Sequence, residues 1–126
     1  MVVGLGIDVV EIERVEKMLD HWRERLLSRL LTADEIAYLT DKARPAQHVA
    51  VRIAAKEAAY KALSGSEFAR GISWQDIEVF SRADGSPELR LHGRAASRFQ
   101  ELQAVAVHVS LSHSHETAVA VVIVER

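Results

Sequence analysis

Two acidic residues stand in settings where a carboxylate has to be explained. Asp8 interrupts the apolar run 5–10, Leu-Gly-Ile-Asp-Val-Val, where burial of an unpaired charge would be costly. Glu57 precedes Lys61 by four residues in a helical pattern, so their side chains face the same side of the helix. Both have ordinary alternatives: Asp8 could lie on the exposed face of an edge strand or cap a turn. A Glu–Lys pair at this spacing is a common surface ion pair, worth about 0.3–0.5 kcal/mol.

Basic residues around Glu57 favour a phosphate-rich ligand. Arg52, Lys56 and Lys61 surround this one acid in an alanine-rich segment, and an excess of cations on a surface of small residues suits phosphate groups. If the strand carrying Asp8 packs beside this helix, the two carboxylates, phosphate oxygens and water would form a magnesium site. The combination predicts phosphoryl-type transfer from a polyphosphate donor without identifying that donor.

A His-x-His pair, His113 and His115, is a third candidate. Two histidines suggest a metal such as zinc, but no third soft ligand stands nearby. A histidine that donates to a phosphate or a ribose is equally consistent with the pattern. The chain also lacks the Gly-x-x-x-x-Gly-Lys and Gly-x-Gly-x-x-Gly phosphate-binding motifs, so it does not belong to those nucleotide-binding classes.

The elements that must position these residues form an α+β pattern. The β-branched run 2–10 predicts a buried strand, and the alanine-rich run 45–63 with proline at its first position predicts a long helix. Other predicted elements are helices over 11–20, 23–31, 33–39 and 93–102, strands over 76–80 and 88–91, and a hairpin of strands 105–111 and 117–124 with a five-residue loop. We therefore expect a mainly antiparallel sheet packed against a long central helix.

Composition limits the classes of function. The 126 residues fit a single domain, 1–126, and the net charge of −2 argues against a dedicated nucleic-acid binder. The absence of cysteine excludes disulfides and thiolate metal sites. No signal peptide is visible, and the longest apolar stretch, 118–124, is too short to span a membrane. We expect a cytoplasmic protein with no nucleic-acid or membrane partner.

Two segments resemble the signature motifs of a known family. The run 6–12 with Arg14, and the run 52–58 with Lys61, are similar to the paired motifs of holo-[acyl-carrier-protein] synthases, the small bacterial class of 4′-phosphopantetheinyl transferases. The resemblance extends over essentially the whole chain. Further matching segments are Leu31-Thr32 with Glu35, the strand at 76–79, the turn at 85–87 and the run 110–114.

This resemblance implies a function. Members move the 4′-phosphopantetheine group from coenzyme A to a serine of apo acyl carrier protein and release adenosine 3′,5′-bisphosphate. In this chain Asp8 and Glu57 match the magnesium ligands, and Lys61 matches the lysine beside the pyrophosphate of coenzyme A. These three residues are the implied catalytic set. The proton acceptor for the serine is left open between Glu57 and a water on the metal.

The resemblance also implies further contacts and an assembly. Arg52 and His113 match positions at the nucleotide end of coenzyme A, and Gly65 falls in a turn that contacts the cofactor. The carrier protein is expected on a basic face carrying Arg14, Arg23 and Arg25. Homotrimers with sites at subunit interfaces are expected, which would explain how so small a chain encloses a large cofactor.

The chain departs from the family pattern in two places. Ile53 stands where members usually carry phenylalanine, and the glycine-rich turn after the long helix is reduced to Ser-Gly-Ser-Glu over 64–67. Neither change affects a metal ligand or the lysine. The changed turn leaves an alternative open: a non-catalytic module that binds coenzyme A or a carrier protein without reacting.

Overall fold

Two antiparallel sheets and four α-helices make up the computed structural model, which describes all residues 1–126. The three-stranded sheet has the order β1-β5-β4, and the two-stranded sheet pairs β2 with β3. The strands are β1 (Val2–Glu11), β2 (Ile77–Ser81), β3 (Pro87–Leu91), β4 (Ala106–His113) and β5 (Thr117–Glu125). The helices are α1 (Ile12–Leu30), α2 (Ala33–Leu39), α3 (Pro45–Ala62) and α4 (Gly93–Glu101). The predicted α+β class is confirmed, with the antiparallel strands divided between two sheets.

The long helix α3 lies against the inner face of the larger sheet and takes part in both hydrophobic clusters. Ala54, Ala55 and Ala58 belong to the cluster that includes the inner face of β5, and Val49 and Ala50 belong to the cluster under α1. All five are completely buried. Because alanine adds so little bulk, the helix axis can approach the sheet closely.

Two glycines of β1 complete this close approach. A Cβ atom on Gly6 would lie 1.8 Å from the carbonyl oxygen of Ala58, and one on Gly4 would lie 2.0 Å from that of Ala62. No side chain fits between the two backbones at these positions. The strand that carries Asp8 therefore packs directly on the helix that carries Glu57, as the predicted metal site requires.

The helix α2 begins with the predicted capping box. Thr32 Oγ1 accepts a hydrogen bond from Glu35 N at 3.2 Å, and Glu35 Oε1 accepts one from Thr32 N at 2.9 Å. Both orphan amides of this first turn are thereby satisfied.

The helices predicted over 11–20 and 23–31 are the two parts of α1, which is bent where Trp22 adopts non-helical angles (φ −135°, ψ 34°), within the predicted gap. Two details differ from the sequence-based prediction. The hairpin loop between β4 and β5 has three residues instead of five, because strand pairing continues to His113 opposite Ala118. The strand β1 is buried on one face only: Leu5, Ile7 and Val9 are 65%, 56% and 60% exposed.

None of the helices combines the length and the apolar composition that crossing a membrane would require.

Candidate active site

Asp8 and Lys61 meet where β1 crosses α3. Asp8 lies on the face of β1 turned toward the helix, and its side chain is only 20% exposed. Lys61 Nζ donates to Asp8 Oδ1 at 3.2 Å and to the carbonyl oxygen of Ile7 at 2.8 Å. Lys61 therefore pairs with Asp8, and the routine surface pair with Glu57 does not form. β1 is an edge strand, as the ordinary alternative required, but Asp8 is not on its exposed face.

Glu57 stands one helical turn before Lys61 and close to Asp8. Burial raises the pKa of the Glu57 carboxyl above its ordinary value, and the negative charge of Asp8 raises it further, while Lys61 partly opposes both effects. A carboxyl whose pKa is raised by burial and by a neighbouring carboxylate is common at sites that bind cations or move protons.

The donor set at this point fits magnesium bound together with a phosphate ligand. Asp8 and Glu57 supply carboxylate oxygens, the donors that this hard cation prefers. No group of three or more acidic, histidine or cysteine side chains that could hold a metal exists in the structure. Two protein carboxylates, with water and substrate oxygens at the remaining positions, would be the usual manner of magnesium binding at phosphate sites.

A groove between α1 and α3 leads to the carboxylate pair. Asp8, Glu57, Arg14, Ile53 and Trp74 all line it, along with apolar residues of α1. Of the three arginines predicted to receive a carrier protein, Arg14 is the one in this groove. Arg23 and Arg25 follow the bend in α1; Arg23 lines a separate depression beside the start of α3.

Cavities lie on the other side of Glu57. Tyr60 and Arg70 line the cavity that contains Glu57 and also the adjoining cavity, which is walled by the turn at Gly65. The predicted cofactor residue Gly65 is therefore close to the carboxylate site. Tyr60 and Arg70 are site residues that the sequence analysis missed, because neither belongs to a motif with a chemical signature.

Lys56 does not join the phosphate-facing cations, contrary to the prediction. It is buried and donates to Glu35 Oε1 at 2.7 Å, to Ile77 O at 2.7 Å and to Trp74 O at 2.9 Å. Glu35 in turn accepts from Val79 N at 3.1 Å. All three protons of the ammonium group are occupied, so Lys56 joins α3 to α2 and β2 instead of contacting a ligand.

Arg52 is buried on a different face of α3 from Glu57. Its guanidinium stacks on the ring of Tyr38, with 4.4 Å to the centroid, and donates to His48 O at 3.1 Å. Its Nε is buried without a partner. Its assignment to the nucleotide end of coenzyme A remains a prediction.

The two histidines lie near the beginning of α3. The Gln47 amide donates to His113 Nε2 at 3.0 Å, and Arg44 Nη1 lies 3.4 Å from His115 Nδ1. A neighbouring arginine disfavours a metal cation, so nothing here supports zinc. At 1.5 Å rise per residue, Gln47 and Lys61 are roughly 20 Å apart along the helix. Within one chain, His113 is therefore not brought together with the carboxylate site.

An exposed apolar face was also missed. Leu5, Ile7 and Val9 alternate along β1, and Ile123 and Val121 of β5 pair opposite the first two. The sequence of β1 indicates this face, because apolar residues occupy positions on both sides of the strand. An edge strand with this pattern has two apolar faces that need to be covered.

The fold and site correspond to a defined class. The model of the 4′-phosphopantetheinyl transferase superfamily matches residues 4–122, and the chain belongs to this superfamily. It is 45% identical over 126 residues to the holo-[acyl-carrier-protein] synthase of Geobacter sp. (strain M21), with all of both chains covered.

Solved structures place the chain among the same synthases. The crystal structure of the Neisseria meningitidis holo-[acyl-carrier-protein] synthase superposes with a TM-score of 0.88 at 26% identity, covering 100% of both chains. The Bacillus anthracis str. Ames synthase, described in complex with CoA (3′,5′-ADP), gives 0.77 at 39% identity over 99% of this chain and 97% of that one. The sequence-based family assignment and the prediction of an enzyme are confirmed.

Proposed function

We propose that this transferase moves the 4′-phosphopantetheine group of coenzyme A to a serine of apo acyl carrier protein, with magnesium held by Asp8 and Glu57. The observation that carries the proposal is the meeting of Asp8, Glu57 and Lys61 where β1 crosses α3. Two hard oxygen donors beside one cation suit a pyrophosphate with a bound magnesium ion. When bound, the metal would neutralise charge on the pyrophosphate oxygens.

The residues of the chain divide the remaining work. The carrier serine oxygen forms a bond to the β-phosphorus of coenzyme A, and the bond from that phosphorus to the bridging oxygen breaks. Lys61 stabilises the negative charge that develops on the departing adenosine 3′,5′-bisphosphate. The serine proton passes to Glu57 or to a water molecule at the site, and both acceptors are part of the proposal.

The groove between α1 and α3 is the proposed entry for the carrier protein. Arg14 lies in it beside Asp8 and Glu57, so an acidic carrier that contacts Arg14 would bring its serine to the site. Arg23 and Arg25 follow the bend in α1 and would contact the carrier outside this groove. At the other end of the ligand, Gly65 would contact coenzyme A, and Arg52 and His113 would contact its nucleotide portion.

A homotrimer is part of the proposal. The exposed face formed by Leu5, Ile7 and Val9 with the outer residues of β5 is apolar, and such faces are normally covered by another surface. An assembly would also supply His113 from one subunit to the Lys61 side of another. Light scattering on the wild type and on Ile7→Asp tests this. We expect the wild type to be a trimer and Ile7→Asp to be a monomer. A monomeric wild type would contradict the proposal.

We further propose that residues 1–126 act as one catalytic domain and that the reaction takes place in the cytoplasm, where coenzyme A and apo carrier protein are available.

The decisive experiment is a mass measurement. The chain is incubated with coenzyme A, magnesium and apo carrier protein, and the carrier should gain about 340 Da, the mass of the transferred arm. Asp8→Ala and Glu57→Ala should stay folded and lose transfer. Glu88→Ala is the matched control, because Glu88 pairs with Arg82 in the β2–β3 hairpin outside the site. Near-normal transfer by either site variant would show that the assignment is wrong. Binding of coenzyme A without any mass gain would instead favour the non-catalytic module.

A further inference from the structure

The end of α3 is held by an arginine from another helix. Arg98 of α4 is only 7% exposed. Its Nε donates to Leu63 O at 2.8 Å, and its Nη2 donates to Ser64 O at 3.0 Å. Its Nη1 pairs with Glu101 on the same helix. One planar guanidinium thus binds two consecutive carbonyls directly after α3, while a carboxylate fixes it from behind.

The residue that follows these carbonyls is the glycine of the shortened turn. Gly65 has φ of +107°, a conformation that glycine adopts without strain. An added Cβ would lie 3.5 Å from Arg98 Nη2, so the guanidinium packs against this residue as well. The turn has no second glycine, and Ser64 Oγ is its other anchor, donating to Lys61 O at 2.7 Å.

The position of this turn determines the shape of the cavity beside the carboxylate site. Ser64, Gly65 and Ser66 line that cavity together with Tyr60 and Arg70. Arg98 does not line it. Any effect of Arg98 on a ligand in the cavity must therefore pass through the backbone that it holds.

We propose that Arg98 is a positioning residue for coenzyme A, acting by fixing the Ser64–Gly65–Ser66 turn. The inference rests on the proposed function, since it concerns the same ligand and the same site. A planar fork with several donors can hold two adjacent carbonyls in fixed directions, and a lysine ammonium cannot reproduce that geometry.

The test compares Michaelis constants for the two substrates. Arg98→Met keeps most of the side-chain volume and removes the donors, and Arg98→Lys keeps the charge. We expect the KM for coenzyme A to rise about tenfold in Arg98→Met, which corresponds to about 1.4 kcal/mol of binding free energy, and to rise less in Arg98→Lys. The KM for the carrier protein should not change, because the groove at Arg14 does not include this turn.

A control separates positioning from stability. Leu102→Ala removes apolar packing at the C-cap of the same helix, and Leu102 does not line the cavity at the turn. It should lower the melting temperature and leave the KM for coenzyme A unchanged. A comparable rise in that KM in Leu102→Ala, or a KM within twofold of wild type in folded Arg98→Met, would overturn the inference. If Arg98→Met does not fold, Arg98→Lys decides by the same criterion.

Failure of the proposed function would be recognised separately. A wild-type chain that adds no mass to any carrier refutes the transfer reaction. Titration calorimetry with coenzyme A and magnesium then still tests the role of Arg98. If the wild type, Arg98→Lys and Arg98→Met bind coenzyme A with equal affinity, that role is refuted.

Discussion

The substitution Gly6→Ala should inactivate the site without removing any group that takes part in the chemistry. The new Cβ would lie 1.8 Å from Ala58 O, 2.8 Å from Ala58 C and 3.0 Å from Ala62 N. These are backbone atoms in the C-terminal part of α3, and they cannot move aside alone. The strand β1 must therefore withdraw from the helix.

The size of the movement follows from these distances. Real Cβ atoms do not approach other atoms within 3.0 Å, so the backbones must separate by at least about 1.2 Å. Asp8, two residues along the same strand, would move with it, and the 3.2 Å contact from Lys61 would be lost. A misplacement of about 1 Å lowers reaction rates by about 100-fold. Forced repacking of this kind destabilises by about 3 kcal/mol, the upper end of its usual range.

Two measurements test this reasoning. We expect transfer to the carrier protein, followed by mass spectrometry, to fall about 100-fold. We expect thermal unfolding followed by circular dichroism to shift by about 10 °C. Gly85→Ala is the control, since Gly85 has φ of +87° and no atoms near the added Cβ. That variant should lose some stability and keep its activity. A Gly6→Ala protein with wild-type stability and turnover would refute the close packing of β1 on α3.

Two further predictions concern the charged side chains of Glu57 and Lys56. Glu57→Gln should raise the melting temperature at neutral pH in the presence of a chelator. The pKa of Glu57 is raised in the folded state, so the folded protein becomes less stable as the pH rises through that pKa and the carboxyl ionises. The difference from wild type should disappear in acid, where Glu57 is protonated, and an unchanged neutral melting temperature would contradict the strained carboxylate pair. Lys56→Met should destabilise by about 3–5 kcal/mol in urea unfolding, because it leaves Glu35 buried without its cation. Adding Glu35→Gln should recover part of that loss, and equal stabilities of the single and double variants would argue against the pair.

The sequence predicted those parts of the fold that local pattern determines. The proline at the start of α3, the capping box at Thr32 and Glu35 and the β-branched apolar run of β5 each favour a local conformation, and each element appears close to its predicted bounds. The break predicted between the helices 11–20 and 23–31 is the bend at Trp22. The two separate sheets, by contrast, depend on long-range pairing that no local pattern specifies.

The chemistry of the site was predictable only in part. Asp8 and Glu57 were recognisable because a carboxylate is unusual in an apolar or alanine-rich segment. The structure brings these two residues close together. Lys56 was assigned to the ligand in error: its sequence neighbourhood resembles that of Lys61, but the helix turns it toward Glu35. Helical spacing gives the face of a residue relative to its neighbours and does not say which element covers that face.

The small residues near the site are as necessary to its geometry as the charged residues. Gly4 and Gly6 on β1 face Ala62 and Ala58 on α3, and every one of these positions is needed for the two backbones to touch. Asp8 and Lys61 follow on the same two elements, so their contact is a consequence of that backbone approach. Two motifs far apart in sequence therefore form one site. Their glycines and alanines set the distance between β1 and α3, and this distance brings the carboxylates and the lysine into contact. Substitutions that add a methyl group at this crossing should be as damaging as removal of a ligand, for the same geometric reason.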